Sequence, residues 1–411
     1  MNIWIIDHYS VPIKYYPLAR NTNFAKYLKT EGHKVTIFAA SSVHNSDVNL
    51  VKKNREYINI IDNDVNYVLI KCHQYTGNGV NRVLNMYEFA RKLEKVCAHY
   101  EKPDVIISTS MTLFACKKGI ELAQKYKCKK IAQITDLWPE TLIAYGKAGK
   151  YHPLVLFFRR IEKWIYMHAD SIIFSMEGAY DYIKEQGWDK EIPRSKVYFI
   201  NNGVDLKQFD YNCSTFSIKD NDLDNEDIIR IVYTGSIRKV NNLGKLLDVA
   251  KLVTNPKVKF LIWGDGDELS DLVKRVDREK ITNVVFKGKV DKKYIPFITS
   301  KADINIAHNG TSPLFRFGIS FNKIFDYLAA GKTILCDFYS KYNPVIRMKA
   351  GFSVDSGENL EIAKAIDEIV ISERMNEYGL NARKAAYIYS FDNLTKKLVD
   401  VIQKTFGGNN K

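Results

Sequence analysis

Short apolar runs alternate with longer segments whose apolar residues recur every three or four positions, and this alternation covers almost the whole chain. IWII at residues 3–6 reads as a buried strand. A helix at 21–31 with Phe24, Tyr27 and Leu28 on one face follows, and then a strand at 34–40. Strand, loop, helix and strand in that order is the unit of a doubly wound sheet, because parallel strands need a crossover and the usual crossover is a helix. The rhythm predicts further strands at 65–72, 103–110, 129–136 and 169–176, with helices at 81–99, 112–126, 153–168 and 177–187, and KVYFINNGVD at 196–205 closes the first half. It then restarts, with strands at 228–236, 258–263, 284–290 and 303–309 and helices near 242–253, 267–276 and 292–299. An amphipathic helix at 391–406 ends the pattern, and the tail after it is expected to fray.

With 411 residues the chain exceeds one comfortable core, so two domains are expected. The turn Asn202-Gly203-Val204-Asp205 and the polar run at 217–227 place the linker between the two alternations. Six scattered cysteines without a C-x-x-C pair suit a reducing compartment and give no zinc site. The chain opens on a strand and holds no run of 18 apolar residues, so neither a signal peptide nor a membrane span is expected. Net charge is +14, and residues 1–200 carry 29 Lys/Arg against 20 Asp/Glu. That excess suits an anionic membrane or a phosphorylated substrate, and equally suits lysines on solvated helix faces. Nucleic acid ranks below these, because the charge is dispersed and no binding motif accompanies it.

The stretch RFGISFNKIFDYLAAGKTILCDF, residues 316–338, reads as a turn, a short helix and a buried strand. Ser320 is the expected N-cap, Gly331 the left-handed residue past the helix end, and Ile324, Phe325 and Leu328 the core-facing positions. The first turn of such a helix offers unpaired N–H groups and the positive dipole end, with Arg316 and Lys323 nearby, which makes an anion site. Asp326, six residues past Ser320 and about 9 Å along the axis, is placed to accept hydrogen bonds from a ribose. An ordinary capped helix with a surface Lys and Asp fits the same letters.

Single glycine turns at Gly235, Gly264–Gly266, Gly288 and Gly318 are expected at strand ends, where backbone can approach a nucleotide, and Arg238 and Lys239 follow the first. Neither half carries G-x-G-x-x-G after its first strand or G-x-x-x-x-G-K-[ST], which disfavours a dinucleotide-dependent dehydrogenase and a P-loop enzyme. In the first half, Asp136 and Glu140 of DLWPETL follow the strand at 129–136, at the carboxyl end where open α/β sheets place ligands. A capping Asp and a solvated Glu would read the same way. Arg159, Arg160 and Lys163 lie among apolar residues of the helix at 153–168, as on a membrane-surface helix or on a domain helix facing a core.

In order, EGHKVTIFAAS, DLWPE, the Asn202–Asp205 turn, YTGS, GDGDEL, FKGKV, GISFNKIFDYLAAGK and YSFDNLTKKL resemble the motifs of a GT-B retaining glycosyltransferase of family 4, over nearly the whole chain. DLWPE together with G-I-S-x-N-K-x-F-D-Y is most similar to bacterial capsule and O-antigen transferases of the N-acetylfucosamine transferase type. The resemblance implies an α/β fold with two Rossmann-like doubly wound domains facing a cleft, an acceptor-side domain at 1–205 and a nucleotide-sugar domain at 206–385. The segment 386–411 would cross back to the first domain. It also implies a UDP-sugar donor, an N-acetylated hexosamine, and a lipid-diphosphate-linked saccharide acceptor. Neither a cofactor nor a metal ion is expected, and the place of work would be the cytoplasmic face of an anionic membrane.

Carried over residue by residue, Ser320, Asn322 and Lys323 match positions that hold the diphosphate, with Arg316, Gly318 and Ile319 beside them. Asp326 matches the acid that takes the ribose hydroxyls. Gly288, Lys289 and Val290 match the backbone that reads uracil. Gly235, Ser236, Arg238 and Lys239 match the loop beneath the phosphates, with Gly264 and Gly266 in the next loop. Catalytic roles fall to Lys323 and Arg238 on the leaving diphosphate and to Asp136 on the acceptor hydroxyl or the cationic sugar. Arg20 and Glu140 stand on the acceptor side, and Arg20, Arg159, Arg160 and Lys163 are the implied membrane contacts.

The chain departs from the family pattern in several places. Gly318 stands where the first of two paired acids is usual, Ser236 and Asn242 replace an Arg and a Lys, Pro17 to Arg20 replace a Gly-Gly pair, and Asp136 replaces a His. These changes bear on the donor sugar more than on the reaction class. A UDP-sugar 2-epimerase and an inactive subunit that scaffolds a membrane assembly are the alternatives on the same fold.

Overall fold

The computed structural model describes residues 1–15, 20–44, 46–52, 54–77 and 79–407. The expected loop at Pro17 to Arg20, up to residue 19, and the expected frayed tail beyond Gly407 lie outside them. The chain divides into two compact units, Met1–Asn201 with Leu394–Lys411, and Asn202–Asn393.

Among the described residues the first unit holds an eight-stranded sheet: β1 (Asn2–Ile6), β2 (Lys34–Ala40), β3 (Tyr57–Asp62), β4 (Val65–Ile70), β5 (Val105–Thr109), β6 (Lys129–Ile134), β7 (Ser171–Phe174) and β8 (Val197–Phe199). Its order is β3-β4-β2-β1-β5-β6-β7-β8, and only β3 and β4 pair antiparallel. β3 is absent from the sequence reading because it is a half-exposed edge strand without a buried run; Asn63 and Asp64, both at positive φ, turn it into β4. Every residue of β5 is buried, as expected of a strand covered on both faces. The final helix, Phe391–Gly407, buries Leu394, Leu398 and Ile402 and meets the first unit through Ser171 Oγ and Thr405 Oγ1, 2.7 Å apart.

The second unit holds a parallel sheet of β9 (Ile229–Thr234), β10 (Val258–Trp263), β11 (Val284–Gly288), β12 (Ile304–Ala307), β13 (Thr333–Cys336) and β14 (Gly351–Ser353), in the order β11-β10-β9-β12-β13-β14. Within the stretch 196–205 that closes the first half, the strand covers Val197–Phe199. The linker region also contains an unforeseen helix, Leu206–Thr215, capped by Asp205 Oδ1, which accepts from Gln208 N–H at 3.2 Å. Leu206 and Phe209 anchor that helix in the second unit's core.

The strand orders decide where a ligand can go. In the second unit the chain adds β10 and β11 on one side of β9, then β12, β13 and β14 on the other. The winding therefore reverses between β9 and β12, and the crevice at their carboxyl ends is the place where doubly wound sheets bind ligands. The corresponding reversal in the first unit lies between β1 and β5. No helix among the described residues is long and apolar enough to cross a membrane.

Candidate functional site

The helix Asn322–Ala330 starts beside the reversal in the second unit. Its N-cap residue is Phe321, with no side-chain cap bond, so Ser320 is not the cap that the sequence predicts. The Phe321 ring packs against Phe315 and Phe338, with ring centres 5.5 and 5.8 Å away, and burying it there takes the position a capping hydroxyl would need. Ser320 Oγ instead accepts from Asn202 N–H at 3.3 Å, and Asn322 Oδ1 accepts from the Asn202 side chain. Phe321 makes no side-chain cap bond, and Ile324 N–H donates to the Phe321 carbonyl at 3.1 Å, so the N–H groups of Asn322 and Lys323 are the ones on offer to an anion.

Lys323 projects from that turn into the reversal point. Its Nζ donates to the Tyr233 hydroxyl of β9 at 3.1 Å and to the His308 carbonyl, just past β12, at 3.3 Å, and it lies 4.2 Å from the Tyr233 ring centre. Burial draws the ammonium down to about 8, against the attraction of Asp337. An added negative charge would restore its proton affinity.

The glycine loops meet at the same place. A Cβ on Gly235 would stand 3.3 Å from Lys323 Nζ; one on Gly264 would lie 1.8 Å from Gly235 O, and one on Gly266 would lie 2.1 Å from Ile237 O. Backbone bonds stitch these loops: Gly235 N–H to Trp263 O at 3.0 Å, Ile237 N–H to Asp265 O at 2.9 Å and Gly264 N–H to Gly288 O at 2.9 Å. Below them, His308 Nε2 lies 2.9 Å from Asn242 O, and His308 Nδ1 pairs with buried Asp337. Ser236 Oγ donates to Asn241 Oδ1 at 2.8 Å, while Asn242 takes a left-handed conformation at φ 52°. Arg238 and Lys239 are exposed and make no ion pair among the described residues.

Other expected donor residues are placed as follows. Asp326 is half-buried, and burial raises its carboxyl against the pull of Lys292. Because the N-cap is Phe321 rather than Ser320, Asp326 lies five residues past it, about 7.5 Å along the axis rather than 9 Å. Gly288 ends β11 at φ 74°, Lys289 is exposed, and Val290 packs against the cluster of Leu223, Trp263 and Ile298. Gly318 is not at a strand end; it follows the 3-10 turn Pro313–Phe317 at φ 109°, next to buried Ile319. Arg316 donates to the Pro313 carbonyl and stacks 4.2 Å from the Phe317 ring centre.

In the first unit Asp136 lies two residues beyond β6, half-buried, and burial lifts its carboxyl to about 6 against the effects of Arg82 and Thr141. Glu140 begins the short helix Glu140–Ala144 and is ion-paired with Arg159 at 2.7 Å. Lys163 pairs with Glu191 at 2.8 Å. Arg159 and Lys163 are thus engaged inside the unit rather than presented to a membrane. Arg20 is engaged as well: its guanidinium donates to Asn201 O at 2.7 Å and Ile200 O at 2.8 Å, and burial lowers it to about 9 against the attraction of Asp7.

Strand order reveals one cluster that the letters did not. Asp7 follows β1 at the first unit's reversal point, and its carboxylate accepts from Ser10 Oγ at 2.8 Å and Asn21 Nδ2 at 2.7 Å. Asn21 also donates to Thr109 Oγ1 at 3.0 Å. The available signal was an acid directly after the first strand, without a motif to single it out.

Two doubly wound units, the second with a lysine, a helix start and three glycine loops at its reversal point, define an α/β protein whose crevice suits an anionic ligand. Residues 20–208 match the family model Glycosyltransferase Family 4, and residues 215–386 match Glycosyl transferases group 1. The chain has the GT-B fold of the family 4 and group 1 glycosyltransferases. It is 27% identical to TuaH of Bacillus subtilis strain 168, named as a teichuronic acid biosynthesis glycosyltransferase, over 50% of this chain and 49% of that protein. The match thus spans about half the length of TuaH. WbjE of Pseudomonas aeruginosa, named as a glycosyltransferase, is 21% identical over 73% of this chain and 75% of its own length. Among solved structures, Anabaena HepE in complex with UDP shares the fold, with a TM-score of 0.66 and 13% identity over 98% of this chain and 100% of that one.

Proposed function

We propose that this protein transfers an N-acetylated hexosamine from a UDP-sugar to a lipid-linked saccharide, with retention at the anomeric carbon, in bacterial surface polysaccharide synthesis. The observation that carries the reading is Lys323 at the β9/β12 reversal, held by the Tyr233 hydroxyl at 3.1 Å beside the uncapped start of its own helix. UDP is favoured because HepE, of the same fold, holds UDP; a polysaccharide acceptor is favoured because TuaH is named for teichuronic acid synthesis. The likeness of the motifs to retaining transferases supports retention.

The leaving diphosphate gathers charge as the glycosidic bond breaks. The helix start, Lys323 and exposed Arg238 supply donors and positive charge at that point, and an interaction that strengthens as charge develops lowers the barrier. These groups stand in for a divalent cation. Asp326 takes the ribose, and the Gly288–Val290 backbone takes the base. Asp136, lifted to about 6 by burial, is ionised near neutrality and suited to receive the acceptor proton or to support the cationic sugar.

A thermal-shift screen with UDP-, GDP- and dTDP-sugars tests the donor assignment. UDP-sugars alone should raise the melting temperature, and a shift confined to another nucleotide, or no shift at all, contradicts it. NMR of the stabilising UDP-sugar incubated without acceptor should show no 2-epimer.

A further inference from the structure

We propose that the first unit docks on an anionic lipid surface through one face formed by the helices Val80–Cys97, Leu113–Tyr126 and Pro153–His168. The middle helix packs against both of the others. On the first helix Val83, Leu84 and Tyr87 are exposed, Leu84 at 51% and Tyr87 at 57%, and steps of three and four residues keep such positions on one side. On the third, Leu154 and Phe157 are 46% and 49% exposed. Phe114 of the middle helix joins the two, its ring centre 6.1 Å from Tyr87 and 6.5 Å from Phe157. These side chains form a continuous strip rather than scattered apolar residues, and such strips on soluble domains mark contact sites.

The rim of the strip is basic. Arg91 lies one turn beyond Tyr87, Arg160 lies three residues beyond Phe157, and Lys147 and Lys150 stand just before Pro153. All four are exposed, and none makes an ion pair among the described residues. Acids on and beside the same helices are already neutralised: Glu88 by Lys92, Glu94 by Lys118, Glu121 by Lys117 and Glu140 by Arg159. Apolar and aromatic side chains ringed by uncompensated cations suit the headgroup boundary of an anionic bilayer. A second copy of the chain is a poor occupant, because it would set one basic rim against another. The membrane contact implied for Arg159 and Lys163 therefore moves to this face. The face shares with the proposed function only the lipid-linked acceptor, and does not use the donor site.

Co-sedimentation of the full chain with vesicles tests the assignment. Phosphatidylglycerol-containing vesicles should bind the protein at least about tenfold more tightly than pure phosphatidylcholine vesicles, and high salt should weaken that binding. Each cation removed should cost about fivefold, so Lys147→Glu combined with Lys150→Glu and Arg160→Glu should weaken binding by about a hundredfold or more. Tyr87→Ser with Phe157→Ser should weaken it independently of charge. Both sets should keep the wild-type melting temperature and the UDP-induced shift, showing that fold and donor site are intact. Unchanged vesicle binding by the charge variant, equal binding to neutral vesicles, or a solution dimer abolished by Tyr87→Ser with Phe157→Ser would overturn the proposal. Vesicle binding without any response to UDP would leave docking standing and remove the donor reading; a UDP response without vesicle binding would do the reverse.

Discussion

Lys323 Nζ lies 3.1 Å from the hydroxyl of Tyr233 and 4.2 Å from the centre of its ring. The contact ties the first turn of the Asn322–Ala330 helix to β9, where the strand order of the second unit reverses. The phenol and the His308 carbonyl aim the ammonium without neutralising it.

This arrangement makes donor binding depend on pH. Burial lowers Lys323 to about 8, and a bound diphosphate favours its charged form. Lys323 is charged below that value and neutral above it, so UDP affinity should fall as pH rises through 8. Near and above pH 8, binding should also take up protons, which calorimetry in buffers of different ionisation enthalpy measures. Constant affinity from pH 7 to 9 with no proton uptake would show that this lysine does not meet the diphosphate.

Asp326 should be read through the sugar hydroxyls. The wild-type protein should prefer UDP over 2′-deoxy-UDP by about tenfold, the scale of one hydrogen bond to a charged group. Asp326→Ala should abolish the preference, weakening UDP more than 2′-deoxy-UDP, which keeps only the 3′-hydroxyl for the carboxylate to hold. A preference that survives the substitution would assign the ribose to another residue.

Asp136 should set the acid limb of turnover. Its carboxyl, lifted to about 6 by burial, is protonated below that pH and then cannot accept a proton, so kcat/KM should fall as pH drops through 6. Asp136→Asn should lower kcat by about a hundredfold to a thousandfold, remove that limb and leave UDP affinity intact. Near-normal turnover by the variant would refute the role.

The glycine loops should be intolerant of a methyl group. A Cβ on Gly264 would meet Gly235 O at 1.8 Å and Gly235 C at 3.0 Å, backbone atoms that cannot rotate aside as a side chain would. Gly264→Ala should cost about 1–3 kcal/mol of stability and weaken UDP binding. Gly149→Ala, where a Cβ meets nothing within 4 Å, should do neither. Similar melting temperatures for the two variants would show that the loops can yield.

Buried strands and the crossover helices were legible because burial on both faces writes an apolar run and an amphipathic helix writes a period near 3.6. β3 left no such trace, since an exposed edge strand packs little, and the helix Leu206–Thr215 was hidden by its polar composition. The importance of Lys323 could be read from its place at a helix start. Its hold by Tyr233 and His308 could not, because those residues are 90 and 15 positions away in sequence and meet it only once the strands are ordered. The Ser320 cap failed for a related reason: the packing of Phe321 against Phe315 and Phe338 overrides the local preference for a capping hydroxyl.

Titration calorimetry of UDP and uridine into the wild-type protein and Lys323→Ala tests the central claim most directly. The substitution should weaken UDP binding by about ten- to a hundredfold, the loss of a charge-assisted hydrogen bond, and leave uridine binding unchanged. Unaltered UDP affinity, or an equal loss for UDP and uridine, would contradict a diphosphate held at this helix start.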